Sequence, residues 1–253
     1  MKMHLLSAGR LRMREATYRP GAPRESMIEL PVSAALLRHA QGNVLFDTGC
    51  HPSVIADAAA RWGGLAKMMT PIFTADQALP ASLAALGLGP EDIDLVVCSH
   101  LHPDHCGCNG LFPRAGLICH AAELAAARAP DGPAMGYVAA DWDQGLGVRE
   151  IIGPHDVFGD GRLMLLPMPG HTPGMLCALV ALDRDGAFLL ASDAVALAEH
   201  LEQDRAPRNT WDVERAHASF AEIRRLVAGG AYVICGHDAV QWTGLRTGAA
   251  FYV

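Results

Sequence analysis

Short apolar runs alternate with longer amphipathic stretches along most of the chain. Eight runs of four to seven residues are largely apolar and bounded by Gly, Pro, Asp or Asn, which predicts β-strands. They are Val32–Leu37, Asn43–Phe46, Leu95–Cys98, Gly116–Cys119, Leu163–Leu166, Leu176–Leu182, Ala187–Ala191 and Tyr232–Cys235. The tetrapeptide Asp183–Gly186 predicts a hairpin turn between two of these strands.

Helical periodicity covers three further stretches, Leu79–Leu86, Ala121–Arg128 and Asp212–Val227. In the last of these the apolar residues recur on one face, and Asp212 is a candidate N-cap. Strands interleaved with helices predict an α/β protein with helices outside packed sheets. Segments 49–78, 129–162 and 194–212 are rich in Pro, Gly and Asp, so we expect irregular, functional loops there. No linker or repeat divides the chain, which predicts a single domain over residues 1–253.

Composition narrows the class of protein. Of 253 residues 51% are hydrophobic and 19% charged, which predicts a substantial core and excludes a disordered chain. The net charge of −7 argues against nucleic acid as a partner, because phosphate contacts need clustered cations. The chain lacks a membrane-length apolar run, and its N-terminus is too polar for a signal peptide. Seven cysteines, an odd number, argue against a disulfide framework. We expect a cytoplasmic protein with a small-molecule substrate and no membrane partner; the sequence leaves its oligomeric state open.

The most informative segment is Ser99–His105, directly after a predicted strand. His100, His102, Asp104 and His105 place three imidazoles and a carboxylate within six residues. These ligands suit Zn, Mn or Fe. One ion cannot easily use all four from so short a stretch. Two adjacent ions can, with His100 and His102 turned toward one and Asp104 and His105 toward the other. The alternative is an exposed turn that happens to be rich in histidine.

Three downstream residues each follow a predicted strand. They are His171 after Pro169–Gly170, Asp193 after the run ending at Ala191, and His237 after Gly236. Taken singly, each is an ordinary loop residue. Together they complete a two-metal site, because an Asp can bridge two ions and one added His completes each side.

The order His-x-His-x-Asp-His, Gly-His-Thr, Ser-Asp-Ala and Gly-His-Asp resembles the metallo-β-lactamase superfamily over nearly the whole chain. The resemblance implies an αββα sandwich of two mixed sheets with helices on the outer faces. It implies that one metal is held by His100, His102 and His171, and the other by Asp104, His105 and His237, with Asp193 bridging. Asp47, in an early Asp-Thr-Gly, would orient a ligand histidine. Two divalent ions are expected, zinc first, with manganese, iron or cobalt as alternatives.

Within the superfamily the chain is most similar to the N-acyl-homoserine lactonase group. Ser99–His102, Asp104–His105, Asn109–Gly110 and Gly236–Asp238 carry the likeness, and the ending Arg246–Tyr252 is similar to 4-pyridoxolactonase. This implies opening of a lactone by a metal-bound hydroxide, with Asp104 and Asp193 as catalytic residues. The group usually has a Tyr three residues after the bridging Asp, but this chain has Ala196. Tyr137 and His200 are candidate replacements for that hydroxyl.

Other functions are compatible with the same pair of metal ions. An esterase or thioesterase of the superfamily is the main alternative, and a catalytically silent metal-binding protein is the alternative of a different class. Cys106 and Cys108 could bind a soft metal, but small buried residues are the better interpretation. Apolar residues of the irregular segments are candidate pocket walls; they are Met68, Met69, Pro71, Ile72, Phe73, Met135, Tyr137, Trp142 and Trp211.

Overall fold

The computed structural model describes all 253 residues, which form two β-sheets and nine α-helices. The strands are β1 Lys2–Arg14, β2 Met27–His39, β3 Gly42–Phe46, β4 Thr70–Pro71, β5 Leu95–Val97, β6 Gly116–His120, β7 Val148–Ile151, β8 His155–Asp156, β9 Leu163–Pro167, β10 Leu176–Leu182, β11 Gly186–Ser192 and β12 Tyr232–Cys235. The helices are α1 Glu15–Tyr18, α2 Val54–Trp62, α3 Leu79–Ala84, α4 Pro103–Cys106, α5 Ala121–Arg128, α6 Ala139–Trp142, α7 Ala198–Glu202, α8 Val213–Ala228 and α9 Ala239–Thr243.

Both sheets are mixed. The larger has the order β4-β1-β2-β3-β5-β6-β7, and the smaller has the order β12-β11-β10-β9-β8. Strands β3, β5, β6 and β7 run parallel to one another, as do β11 and β12. The predicted turn Asp183–Gly186 is present, since Leu182 pairs with Gly186 across the β10–β11 hairpin.

Side chains along the strands of the larger sheet alternate between its two faces, and both faces are buried. On β2, Leu37 faces the smaller sheet in a buried cluster with Leu165 and Val180, whereas Leu36 faces the opposite way. Leu36 belongs to the cluster that covers the outer face of the larger sheet, together with Leu79 of α3. This is the expected αββα sandwich.

Helix α8 closes the outer face of the smaller sheet. Its side chains Phe220 and Ile223 pack in a third buried cluster with Leu189 of β11. The predicted cap is present, because Asp212 accepts a hydrogen bond from the backbone N–H of Arg215 at 3.0 Å. No helix is both long enough and apolar enough to span a membrane.

Some sequence predictions were wrong. The helix expected over Leu79–Leu86 ends at Ala84, and the chain then turns at Gly87, whose φ is +71°. The three segments expected to be irregular contain short elements, α2, β4, α6, β7, β8 and α7. Strand β1 was missed altogether, because a β-bulge between Ser7 and Gly9 shifts the register and interrupts its alternation. All eight predicted strands are present, although Val32–Leu37 is only part of β2.

Candidate metal centre

Strand ends bring the candidate residues to one edge of the sandwich. His100 follows β5 and Asp47 follows β3 of the larger sheet, while Asp193 and His237 follow the parallel strands β11 and β12 of the smaller one. Carboxyl ends of parallel strands lie at the same sheet edge, so residues distant in sequence meet there. A hydrogen bond from the N–H of Leu176 to the carbonyl of Ser99, 2.8 Å long, joins the two sheets at this edge.

Pro103 accounts for the two directions in which the side chains of this short segment point. A residue before proline is restricted to extended backbone, and His102 is extended (φ −71°, ψ 150°). Pro103 then begins α4, since proline suits the first helical position. The extended part presents His100 and His102 in one direction, and the helical turn presents Asp104 and His105 in another.

The structure brings all seven predicted residues together, six of them as two adjoining trios with Asp193 between the trios. Within the first trio, His100, His102 and His171, the candidate ligand atoms lie within 4.8 Å of one another. The Nδ1 atom of His102 is 3.1 Å from His100 Nε2 and 3.0 Å from His171 Nε2. The second trio, Asp104, His105 and His237, meets the same 4.8 Å limit. These six residues, together with Asp193, provide the pattern that the sequence predicted for two ions.

Asp193 lies between the trios and offers one oxygen to each. Its Oδ2 is 3.4 Å from His171 Nε2, whereas its Oδ1 is 2.9 Å from His237 Nε2 and 3.4 Å from His105 Nε2. The side chain is buried, with 6% of its surface exposed. A carboxylate in this position can bridge two ions.

Asp47 is buried beside the second trio, and its carboxylate accepts several hydrogen bonds. Its Oδ2 accepts a hydrogen bond from His105 Nδ1 at 2.9 Å, and its Oδ1 accepts one from the backbone N–H of Ser99 at 2.7 Å. The Ser192 hydroxyl donates to Oδ2 at 3.1 Å. The expected contact between Asp47 and a candidate ligand is therefore present, and it leaves Nε2 of His105 facing Asp193.

Other histidines are oriented in the same way. His237 Nδ1 donates to the carbonyl of Pro31 at 2.9 Å, and His102 Nε2 donates to the carbonyl of Met135 at 3.0 Å. Each bond fixes the tautomer and turns the other ring nitrogen toward the centre, an arrangement typical of metal-ligating histidine.

The donor atoms fit divalent ions. His105 Nε2, His237 Nε2 and Asp193 Oδ1 are buried, and none of them makes a hydrogen bond of acceptable geometry although each nitrogen lies within 3.4 Å of the oxygen. Buried polar atoms rarely lack partners, so three that converge on one point indicate a ligand. Nitrogens bound tetrahedrally to zinc lie about 3.3 Å apart, close to the distances within the first trio. The set of imidazole nitrogens and carboxylate oxygens could hold two divalent ions.

The pKa is lowered for two histidines of the site and raised for two others. Burial lowers the pKa of His171 to about 3, and burial with the neighbouring His105 and His102 lowers the pKa of His100 well below its ordinary value. Burial also opposes charge on His105, but Asp104, Asp193 and Asp47 outweigh it and raise the pKa of that ring. The pKa of His237 is raised by Asp193 despite burial. His100 and His171 are thereby kept in the neutral form that a metal needs, and a proton held by His105 or His237 would be displaced when an ion binds.

A cavity of about 550 Å³ opens onto the site. Its floor includes His102, Asp104, His171 and Asp193. Its wall is rich in thioethers and also carries an indole; these residues are Met13, Met27, Met68, Met69, Met135 and Trp211. Of the predicted wall residues, Pro71, Ile72, Phe73, Tyr137 and Trp142 do not line the cavity. Flexible Met side chains adapt to apolar ligands of different shape, and the volume suits a small organic molecule.

The two candidate replacements for the missing tyrosine lie outside this cavity. His200 is buried and its Nε2 donates to the carbonyl of Tyr18 at 2.8 Å, so it is occupied within the core. Tyr137 is buried beside His102, with ring centroids 5.3 Å apart. Ala196 is buried in the turn after Asp193, where its carbonyl accepts from the N–H of His237 at 2.8 Å.

Cys106 and Cys108 are buried thiols that belong to none of the groups of side chains placed to share a metal ion. Burial raises the pKa of Cys108 to about 12 and that of Cys106 well above its ordinary value. A metal binds the thiolate, which is disfavoured here. The Cys108 thiol donates to the carbonyl of Cys50 at 3.3 Å.

Sequence reasoning missed Glu123 and Tyr18. Glu123 is fully buried in the first turn of α5, where its two oxygens accept hydrogen bonds from the N–H groups of Leu101 and Gly174, both 3.0 Å long. It thereby joins the loop of the first two histidines to the loop that follows His171. Inside an alanine-rich helical pattern it looked like a solvent-exposed residue. Tyr18 follows β1, far in sequence from every recognised motif, but lines the cavity.

Gly236 allows a close approach at the shared carboxylate. A Cβ atom there would lie 2.7 Å from both Asp193 Oδ1 and the Ser192 carbonyl oxygen. We expect Gly236→Ala to displace Asp193, lowering the bound metal from two ions toward one and activity by about 10-fold, the scale seen when a residue supporting a metal ligand is changed. Metal analysis of the purified variant measures this.

Gly244→Ala is the matched control, since its Cβ would meet only Gln241 O at an ordinary 3.6 Å. Full metal content in Gly236→Ala would contradict the importance of this close approach.

The sandwich, the two trios and the Asp193 carboxylate between them, at one strand edge, are the arrangement expected of a metal-dependent hydrolase. The family model of the metallo-beta-lactamase superfamily matches residues 27–237. The chain therefore belongs to the metallo-beta-lactamase superfamily, a conclusion that confirms the resemblance noted in the sequence.

Curated relatives cover all or nearly all of the chain. The N-acyl homoserine lactonase AttM of Azorhizobium caulinodans is 32% identical over 100% of this chain and 98% of its own length. The N-acyl homoserine lactonase AiiB of Agrobacterium fabrum is 32% identical over 96% of each chain. A solved N-acyl homoserine lactone hydrolase, with N-hexanoyl-L-homoserine bound at its catalytic metal centre, superimposes with a TM-score of 0.89 at 27% identity, covering 100% of this chain and 98% of its own.

Proposed function

We propose that this protein, acting as a single domain over residues 1–253, is a binuclear metal-dependent lactonase. The observation that carries the proposal is the sharing of Asp193 between two buried trios on the floor of a partly apolar cavity. The relatives AttM and AiiB are named as N-acyl homoserine lactonases, which supports a lactone as the substrate.

One ion would be held by His100, His102 and His171, and the other by Asp104, His105 and His237, with Asp193 shared. Nitrogen and oxygen donors of this kind suit zinc, and they also accept manganese, iron or cobalt. When bound, a pair of divalent ions supplies two things: it lowers the pKa of a water to about 7 and stabilises negative charge on a carbonyl oxygen.

The protein's own residues would bind the substrate, orient the candidate ligands and transfer the proton. The cavity wall holds the apolar part of the substrate and excludes bulk water from the reacting carbonyl. Asp47 keeps His105 in the tautomer that presents Nε2, and Pro31 does the same for His237 through its carbonyl. Asp104 and Asp193, the carboxylates that line the cavity floor, are positioned to accept the proton of the attacking water and return it to the departing ring oxygen.

The substrate is a small lactone, and an acyl-homoserine lactone is one candidate. An apolar wall of methionines suits an acyl chain, while the cavity of about 550 Å³ is large enough for a lactone with such a chain. Ala196 stands where the lactonase group has a tyrosine, so other small lactones are candidates as well.

A substrate panel tests the proposal. Metal-loaded protein should open acyl-homoserine lactones, simple γ- and δ-lactones or a pyridine-fused lactone with kcat/KM at least about 10-fold above its values for aryl esters and thioesters, a selectivity of about 1.4 kcal/mol. Ring opening is followed by pH-stat titration of the acid released. Protein stripped of metal by chelation is the control and should be inactive until metal is restored.

Preference for esters or thioesters by several decades would favour the esterase alternative and overturn the lactonase proposal. Absence of any metal-dependent hydrolysis would favour a silent metal-binding protein.

A further inference from the structure

Tyr18 occupies a position beside the metal centre that no recognised motif accounts for. It ends the short helix α1, is 2% exposed, and lines the same cavity as Asp104 and Asp193. Its ring meets that of His237 edge-on, with centroids 6.2 Å apart. A phenol is therefore buried on the wall above the candidate ligands.

The hydroxyl of Tyr18 has no strong partner within the protein. It donates only to the thioether sulfur of Met13, 3.4 Å away. A thioether is a weak acceptor, so the bond is easily exchanged for one to a ligand oxygen. The buried Tyr252 differs, because its hydroxyl accepts from the N–H of Arg246 at 2.9 Å. A buried phenol on a cavity wall with only a thioether partner is available to a bound molecule.

The backbone that carries Tyr18 is tied to the turn after Asp193. His200 of α7 donates from Nε2 to the Tyr18 carbonyl at 2.8 Å. The neighbouring Arg19 bridges Glu199 of α7 at 3.0 Å and Glu15 of α1 at 2.9 Å. Helix α7 begins two residues after Ala196, so these bonds hold α1 against the segment in which the lactonase group carries its tyrosine. Tyr18, Ala196 and Leu197 share one buried cluster.

We propose that Tyr18 is a catalytic residue, whose hydroxyl donates a hydrogen bond to the substrate carbonyl oxygen as that oxygen becomes negatively charged. The inference rests on the proposed hydrolysis of a lactone. The hydroxyl of one water adds to the carbonyl carbon, and the π electrons move to the carbonyl oxygen, which Tyr18 stabilises without losing its proton. Collapse of this intermediate breaks the ring C–O bond, and the proton of the water ends on the released alcohol oxygen. One phenol on α1 would thus supply the donor that Ala196 lacks.

Tyr18→Phe tests the inference, because it keeps the ring and removes only the hydroxyl. We expect kcat to fall about 100-fold with KM changed less than about 3-fold, since a donor to a developing oxyanion acts in the transition state. Metal content should stay at two ions per chain, and the melting temperature should stay close to that of the wild type. Steady-state kinetics on the best lactone of the panel, metal analysis and thermal unfolding measure these quantities.

Tyr252→Phe is the matched control, being the same change at a buried tyrosine remote from the cavity, and it should leave kcat within about 2-fold. Tyr137→Phe separates the inference from its rival. A large loss of kcat there, with Tyr18→Phe active, would assign the hydroxyl to Tyr137 and overturn the inference. Loss of kcat in Tyr18→Phe that accompanies loss of metal would also overturn it, since Tyr18 would then support His237 rather than the substrate.

The outcome is separable from that of the proposed function. If the wild type prefers an ester to every lactone, the lactonase proposal fails, but the same comparison on that ester still tests Tyr18, because its carbonyl develops the same charge. If the wild type opens lactones and Tyr18→Phe matches it in kcat, the inference alone fails.

Discussion

Replacing Asp193 with asparagine is expected to lower kcat/KM by at least about 10³-fold, well beyond the 10–100-fold typical of residues that only support a metal ligand. The reason is that the two oxygens face different trios, Oδ2 toward His171 and Oδ1 toward His105 and His237. An amide keeps the shape but offers one neutral oxygen and one NH₂ group, which repels a cation. Asp193→Ala should in addition release at least one ion. Kinetics and metal analysis of both variants check this.

Asp76→Asn is the control for the chemical change, since Asp76 is exposed and makes no side-chain hydrogen bond. Both Asp193 variants retaining near-normal hydrolysis would show that the carboxylate is not shared between the ions.

Loss of the Glu123 carboxylate is expected to have the largest effect on stability. Glu123→Ala should lower the free energy of unfolding by about 3–6 kcal/mol, because two hydrogen bonds to a carboxylate, each contributing about 1.5–3 kcal/mol, are lost and two N–H groups are left buried without a partner. These N–H groups belong to Leu101 and Gly174, in the loops that carry the first trio. Metal affinity at that trio should fall as well. Urea unfolding and metal titration measure the two effects.

Glu91→Ala is the comparison, because Glu91 is exposed and pairs with an exposed Arg114 at 3.2 Å. Exposed pairs contribute about 0–1 kcal/mol, so this variant should be nearly as stable as the wild type. Equal stability of the two variants would contradict a structural role for the buried carboxylate.

The sequence was sufficient for the strands that are short, apolar and bounded by turn residues, and for α8 with its Asp212 cap. It was insufficient for β1. Residues Met3, His4, Leu5 and Leu6 are all buried, so neither face of that part of the strand is marked by polar side chains. The bulge at Gly9 then reverses the alternation, so no single period describes the strand. A search for hydrophobic periodicity detects a single repeat along a segment. Strand β1 has no such repeat, because structure on both of its faces buries it.

The candidate ligands were recognisable because three imidazoles and a carboxylate fall within six residues after one strand, and the remaining ligands follow later strands in a known order. The residues that surround the candidate ligands have no comparable pattern in the sequence. Glu123 is a helical glutamate and Tyr18 a tyrosine in a loop-like stretch, and only their burial and partners distinguish them. Those partners, Gly174 for Glu123 and His200 for Tyr18, are distant in sequence, so the contacts exist only once the chain has folded.

The two sheets contribute to the site unequally but jointly. Residues after β5 supply His100 to His105, and the smaller sheet supplies His171, Asp193 and His237. Ions bound as proposed would cross-link the two halves of the sandwich, so that releasing them and parting the sheets become linked events. Binding to the folded chain alone adds stability that grows with the free metal concentration. Metal supply would then govern how long each molecule survives as well as how fast it works, and a metal-starved cell would lose the protein to proteolysis along with its activity.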